Sequence, residues 1–514
     1  MKEFLLFELM KLIKKHPLLI IFLTLYFLVI AYKFISHPTP FYDWDEAINV
    51  EVSREMIEQK SLIPLWQGAP WLDKPPLPFL LFGTVLKLTP FVQPEVSLRI
   101  VSLLLSLISL ILIYFVFYKA CRNRSISLLT VIMTSLTPIF LQRSQIVNLD
   151  VFLLIGWLGY LLFFDNFILS FLFLAIAVLT KSLIGFYAPG IMLLYYFYLL
   201  FKSSRLRSKA HSDSANAGEP RRLIKMVLIQ IGILSLWYFA MFLVFKEAFW
   251  QQHIIETHLR RVTASIESHF GQRTYYIDLL FEQMGFFAWL SIIGFLVMLW
   301  RFISKKLTAD NLIFCLFLLP WFLFLNLTKT KIFWYLFPAI PQFAFLAVYP
   351  LTLFKKDKKP VPYLPAVASA KVGLLSVILL VFIFYQNFSK ADFFKTFYSK
   401  PEDYYRLALY AKDRCDSLTV LVDKNTRDST KTLEDLGLTI SSTKQWGDHP
   451  SIVYYFKKKV DFLYTENGFA AKLITPKMCI ATQNSDTSVI SQNFKLKKIK
   501  TIGDYSLFKE IKTY

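Results

Sequence analysis

Charge is scarce in this chain of 514 residues. Asp, Glu, Lys and Arg make up 18% of it, against about 25% in a soluble domain. That shortage, with 55% hydrophobic and 17% aromatic residues and a mean hydropathy of +0.47, argues against a water-soluble globule. There is no internal repeat, and no pair of broken apolar segments carries ionisable residues at its middle. Both absences weigh against a transporter. No His or Cys spacing is tight enough to define a metal site. The first apolar run is long for a signal peptide and ends at Ile35-Ser36-His37-Pro38, which is not a small-residue cleavage site, so a retained signal anchor is expected. Only four cysteines are present. Cys121 and Cys315 fall at a cytoplasmic edge and in a span, whereas Cys415 and Cys479 fall in an outer segment where an oxidising compartment permits either a disulfide or two free thiols.

What the chain has in abundance is apolar runs of membrane-spanning length, such as Pro17 to Ile35, Leu98 to Tyr118, Leu223 to Phe245 and Val372 to Phe388. In hydrocarbon such runs must be helical, because nothing else satisfies their backbone polar groups. We expect about eleven spans, near 17–35, 97–118, 125–142, 149–164, 166–180, 183–201, 223–245, 284–301, 311–327, 333–353 and 372–388. The net charge of +21 does not mark a nucleic-acid binder, since the basic residues cluster in short loops. The clusters are Lys119 to Arg124, Lys202 to Lys225, Arg301 to Lys306 and Lys355 to Lys359. By the positive-inside rule these loops and the N-terminus are cytoplasmic. Loops 36–96, 143–148, 246–283 and 328–332 are then outside, with the tail from 389.

Residues 1–15 read as an amphipathic surface helix, Leu77 to Leu88 as a surface helix too short to span, and Ser203 to Arg222 as a mobile loop. After Phe388 strand-like runs appear at Leu418–Val422, Ile452–Phe456 and Phe462–Tyr464, with helical patterns near Pro401–Cys415 and Ser429–Leu436. The expected architecture is therefore an all-α polytopic membrane bundle over 1–388, with 36–96 as an outer catalytic loop. A small extracytoplasmic α/β domain would follow over 389–514.

Charges beside apolar helices are candidates for function. The densest set is Tyr42-Asp43-Trp44-Asp45-Glu46, with Glu51, Arg54 and Glu55, and then Trp71-Leu72-Asp73-Lys74-Pro75-Pro76. An acid at a water–lipid boundary can take a proton from a hydroxyl, and a lysine fixed by prolines suits a phosphate. A solvated acidic loop is the plainer alternative.

In order along the chain, these segments resemble one family. Asp45-Glu46 with Arg54-Glu55, then Asp73-Lys74-Pro75-Pro76-Leu77, is similar to the first outer loop of the bacterial C-type glycosyltransferases related to lipid A aminoarabinose transferase and protein O-mannosyltransferases. Arg143 to Asp150 resembles a second acidic site, Leu179-Thr180-Lys181-Ser182 a Leu-Thr-Lys-Gly turn, and His253 to Arg261 an outer basic segment. Lys331 to Pro341 resembles the Lys…Tyr…Pro…Pro span. The resemblance covers about residues 1–350, with Asn49, Ile48 and Ser182 as departures.

It implies the C-type glycosyltransferase fold and inverting transfer of a hexose or pentose from a polyprenyl-phosphate carrier, on the outer face of a bacterial inner membrane. The acceptor would be a lipid such as lipid A, a glycan or a protein. Asp45 would be the general base and Asp150 a second acid. Lys74 and either Arg260 or Arg261 would hold the carrier phosphate, and Tyr335 would bond to it. Glu46 and Lys331 would support substrate binding. No cofactor is required, although a divalent cation is compatible. The structural alternatives are a helix cap for Asp45 and for Asp150, an interfacial lysine for Lys74 and aromatic-belt packing for Tyr335. At the level of the whole protein, the alternative is a multi-pass transporter or flippase for a lipid-linked substrate.

Overall fold

The computed structural model describes residues 15–207, 218–354, 403–467, 478–489 and 496–510. The helices in the first part are α1 (Pro17–Ser36), α2 (Asp45–Glu58), α3 (Leu77–Leu88), α4 (Pro94–Cys121), α5 (Arg124–Leu136), α6 (Asp150–Leu162), α7 (Phe167–Lys181), α8 (Tyr187–Arg207), α9 (Gly218–Phe249), α10 (Tyr275–Met284), α11 (Phe286–Ile303), α12 (Ala309–Leu316), α13 (Leu319–Leu327) and α14 (Ile340–Val348). Helices occupy ten of the eleven expected span positions; the eleventh, 372–388, lies outside the described residues, as do residues 1–14. Six described helices are long and apolar enough to cross a membrane, and α3, α5 and α6 are shorter apolar helices. The chain is a multi-pass membrane protein. Its lipid-facing character shows in α1, which buries Leu19, Leu23, Tyr26, Ile30 and Phe34 while exposing Leu18, Ile21, Leu25, Leu28 and Val29. An apolar face that large suits hydrocarbon and not water.

Small residues bring the helices together. A Cβ at Gly294 would lie 1.8 Å from the Leu346 carbonyl oxygen, and the Ser291 hydroxyl on the same helix donates to the Phe343 carbonyl at 2.8 Å. Helices α11 and α14 therefore touch backbone to backbone, which van der Waals packing in a membrane rewards. Both ends of the loop expected over Ser203 to Arg222 are helical instead, since α8 runs to Arg207 and α9 starts at Gly218; residues 208–217 lie outside the described residues.

The C-terminal part contains α15 (Asp403–Lys412), β3 (Ser417–Leu421), α16 (Lys424–Asp435), α17 (Ser451–Phe456), β4 (Val460–Leu463), β5 (Met478–Gln483), β6 (Leu496–Ile502) and β7 (Tyr505–Glu510), numbered after the two-residue strands β1 (Leu65–Trp66) and β2 (Ala69–Pro70). Five strands form one sheet in the order β4-β3-β5-β7-β6. β3 is parallel to β4 and β5, and β7 is antiparallel to β5 and β6. This is the small α/β domain expected, and Cys415 is joined to Cys479 across it. One expectation is overturned: Ile452–Phe456 is not a strand but part of α17, with all six of its residues buried. Two-faced burial removes the alternation a half-buried strand needs, and docking against the bundle overrides the β-branched and aromatic composition. β5 to β7 were not foreseen. Their signal was Gly503-Asp504 between two strand-like runs, a two-residue hairpin in which Ile502 pairs with Tyr505 and Gly503 takes a φ of +54°.

The domain is clasped to the bundle. The Phe41 amide donates to the Tyr455 hydroxyl at 2.8 Å, and that hydroxyl donates to Glu95 at 2.8 Å. Gln67 exchanges two 2.8 Å hydrogen bonds with the backbone of Val460. Asp43 accepts from the Ser451 amide at 2.9 Å and from the Tyr404 hydroxyl, with His449 3.1 Å away. Buried side chains of bundle and domain form one continuous core.

Candidate active site

Asp45 opens α2. The helix cap position is Trp44, whose φ of +63° is a left-handed conformation that few tryptophans adopt. Asp45 therefore does not spend its carboxylate on capping. Its side chain is 42% exposed and 3.8 Å from Arg143. Asp43 and Glu46 pin the turn from both sides. Glu46 is buried and accepts from Arg99 at 3.0 and 2.8 Å, from the Val147 amide at 3.0 Å and from the Tyr42 amide at 2.8 Å. With its oxygens filled, Glu46 ties α2 to α4 and to the loop before α6, and is not placed to hold substrate. Arg99 was missed from the sequence because it stands inside an apolar helix; a lone arginine there does call for a buried partner.

Asp150 begins α6 and is buried between two cations, Arg143 at 2.6 Å and Lys181. Arg143 also lies over the Trp334 ring, 5.1 Å from its centre, and Lys181 over the Tyr335 ring at 5.4 Å. Asp150 is thus the hub that fixes two cations and two aromatic rings beside Asp45. The cap of α6 comes instead from Asn148, which accepts from the amides of Asp150 and Val151 at 3.1 and 3.2 Å.

Lys74 follows Asp73 on the loop before α3. It is half-buried and, among the described residues, its ammonium makes no hydrogen bond or ion pair. Burial, and then Arg261, hold it down to about 8, with Lys181 acting the same way and Asp73 and Asp45 opposing. Asp73 is buried, accepts from Gln252 at 2.9 Å, and has its carboxyl pushed up by desolvation against the pull of Lys74 and Arg261.

Arg260 and Arg261 close the far side, at the end of a π-helical segment, Trp250–Arg260. Arg261 pairs with Glu267 at 3.1 Å, and among the described residues the buried Nε atoms of Arg261 and Arg143 have no partner. Arg260 points the other way, to the carbonyls of Thr439 at 2.9 Å and Gly437. The segment is zipped to the loop after α13: Lys329 and Thr330 amides donate to Val262 and Arg261 carbonyls at 3.1 and 3.2 Å, and the Lys331 amide donates to His269 at 3.0 Å. The Lys331 ammonium donates to the carbonyls of Leu325 and Asn326 at 3.1 and 3.2 Å, which caps α13 by its C-terminal dipole. Lys331 is thus a structural residue.

His253 is committed to other partners. Its ring is fully buried, between the Leu72 carbonyl at 2.6 Å and the Ser182 hydroxyl at 2.6 Å. Among the described residues no three His, Cys, Asp or Glu side chains converge as metal ligands. The site is a half-exposed carboxylate 3.8 Å from Arg143, with Lys74 and Arg261 within electrostatic reach of it and Lys181 held close by at Asp150. It can accept a proton at one end and hold a dianion at the other.

Residues 73–212 match the family described as dolichyl-phosphate-mannose-protein mannosyltransferase. An uncharacterized protein of Aquifex aeolicus (strain VF5) is 25% identical over 348 residues, which span 65% of this chain and 63% of that protein. Among solved structures, ArnT from Cupriavidus metallidurans bound to undecaprenyl phosphate superposes with a TM-score of 0.65 at 14% identity, covering 98% of this chain and 99% of that one. The archaeal oligosaccharyltransferase AglB from Archaeoglobus fulgidus, in complex with an inhibitory peptide and a dolichol-phosphate, superposes at 0.53 with 10% identity over 94% of this chain and 71% of the other. These likenesses establish the fold.

Proposed function

From a fold that is that of the C-type glycosyltransferases, of the mannosyltransferase and ArnT-like type, we propose that this protein transfers a sugar from a polyprenyl-phosphate carrier to a lipid, glycan or protein acceptor, at the outer face of a bacterial inner membrane. The observation that carries the reading is Lys74, whose ammonium has no hydrogen bond or ion pair among the described residues and lies within electrostatic reach of Arg261 and Asp45, the latter half-exposed and 3.8 Å from Arg143. Arg261 and Arg143 each add a buried donor without a partner, and a phosphate supplies the acceptors they lack.

In this scheme Asp45 takes the proton of the acceptor hydroxyl. The acceptor oxygen attacks the anomeric carbon on the face opposite the phosphate, and the bond from that carbon to the phosphate oxygen breaks with inversion. The electron pair leaves on the phosphate, whose second negative charge Lys74 and Arg261 stabilise as it develops. Asp150 is a positioning residue that holds Arg143 and Lys181; Tyr335 sets the place of Lys181 through its ring. Protein cations supply the leaving-group stabilisation, so no divalent ion is required.

The test is consumption of a labelled polyprenyl-phosphate sugar panel by the purified full chain. Asp45→Asn should lose about two to four decades of rate, the usual contribution of a general base, and Lys74→Ala should weaken donor use. Turnover unimpaired by Asp45→Asn would remove Asp45 as base and leave the enzyme class standing. A wild-type chain that neither consumes a donor nor binds undecaprenyl phosphate would end the reading.

A further inference from the structure

A single hydrogen-bond chain links the Lys74 loop to the Lys181 turn. The Leu72 carbonyl can only accept, so the His253 Nδ1, 2.6 Å away, must carry the proton. In the neutral ring Nε2 is then an acceptor, and the Ser182 hydroxyl at 2.6 Å donates to it. The Ser182 oxygen in turn accepts from the Tyr238 hydroxyl at 3.0 Å. The polarity of every bond is thereby fixed. Phe249 stacks on the imidazole at 4.6 Å, and Trp237 and Tyr238 meet it edge-on. With Leu72 and Met241 these rings form a small apolar cluster that keeps water away from the bridge.

Ser182 pays for its place in backbone conformation. Its φ is +57°, a region that favours glycine, and it directly follows Lys181 where the resembled turn has glycine. A serine there is unfavourable unless its side chain is used, and here the hydroxyl is the middle of the bridge. Leu72 lies two residues before Lys74, and Ser182 one residue after Lys181, so the bridge sets the spacing of two of the four cations.

We propose that Ser182 and His253 are positioning residues which hold Lys74 and Lys181 at the separation that binds the carrier phosphate. The inference rests on the donor reading above. Neither residue touches the phosphate; each acts through a neighbouring lysine.

The experiment compares undecaprenyl phosphate affinity, donor KM and kcat, and thermal midpoint in the full chain. Ser182→Gly removes the hydroxyl and relieves the backbone at once. It should melt close to the wild-type temperature, because the relieved backbone offsets the two hydrogen bonds lost to His253 and Tyr238, yet bind undecaprenyl phosphate roughly 3- to 10-fold more weakly, with KM rising and kcat little changed. His253→Gln keeps an N–H for Leu72 and an oxygen for Ser182, so it should restore most of the affinity that His253→Ala loses. Wild-type affinity in Ser182→Gly would overturn the inference and leave the donor reading intact. So would a loss that only follows a fall in thermal midpoint, or a His253→Gln no better than His253→Ala. Absence of binding by the wild-type chain would overturn the donor reading and this inference with it.

Discussion

Arg260 and Arg261 are chain neighbours that serve different bodies: Arg260 donates to the carbonyls of Thr439 and Gly437 in the C-terminal domain, while Arg261 turns inward to Glu267 beside Lys74 and Asp73. Successive residues at the end of a helix diverge by about 100°, so the pair cannot share a target. Arg261→Ala should therefore raise the donor KM by about tenfold or more, the range for a hydrogen bond to a charged group, with little change in thermal midpoint. Arg260→Ala should lower the midpoint first and touch KM only through it. Kinetics and melting on the two variants separate the roles.

Lys74 should give the proposed activity an alkaline limb. With its value held down to about 8, Lys74 is charged below that pH and neutral above it. The free enzyme binds an anionic donor best in the charged form, so kcat/KM should fall about tenfold per pH unit above 8. Lys74→Arg stays charged throughout and should lose that limb even if its rate is lower. A wild-type profile flat to pH 10 would show that Lys74 does not hold the donor.

Glu46 and Arg99 form a buried, bidentate pair. Removing one partner strands the other, at a cost of about 3–5 kcal/mol. Glu46→Gln should accordingly melt far lower and express poorly. If instead it is stable and fails to bind donor, Glu46 is a substrate residue after all.

The disulfide Cys415–Cys479 closes a loop with a sequence separation of 64. Chain-entropy arguments put its contribution at up to about 4 kcal/mol. Cys415→Ser or reductant should lower the unfolding temperature of the C-terminal domain, read by limited proteolysis, before the bundle is affected.

Orientation is tested separately. A periplasm-active reporter should be silent after Ala210 and active after Lys400. The opposite result at either place would remove the outer-face location of the site.

The sequence disclosed most about the elements whose cause is local. α3 has the expected bounds, Leu77 to Leu88, because prolines precede it and its apolar run is too short to span. The helix end near Lys181 follows likewise from nearby residues, whereas the break before Pro138 interrupts the span expected at 125–142. The Asp45 to Lys74 loop stood out as charge beside apolar helices, the segments around Arg143 to Asp150 and Lys181 stood out by their resemblance to a family, and the structure brings them together. What stayed hidden depends on direction and on distant partners. Nothing local says that Lys331 bends back to cap α13, that Glu46 meets Arg99 53 positions away, or that Ile452 to Phe456 is helical. Arg260 and Arg261 could not be told apart, since only the docked C-terminal domain distinguishes them.

That docking has a consequence for exchanging parts between relatives. Asp43 and Arg260, which flank Asp45 and Arg261 in sequence, are both held by backbone atoms or side chains of the C-terminal domain. A chimaera that imports another domain must therefore also import the matching turn at 41–44 and the matching end of the π-helical segment. Swapped alone, the new domain would leave the Asp45 and Arg261 ends of the site without a common frame, so grafting boundaries belong inside these two loops and not at the junction near 389.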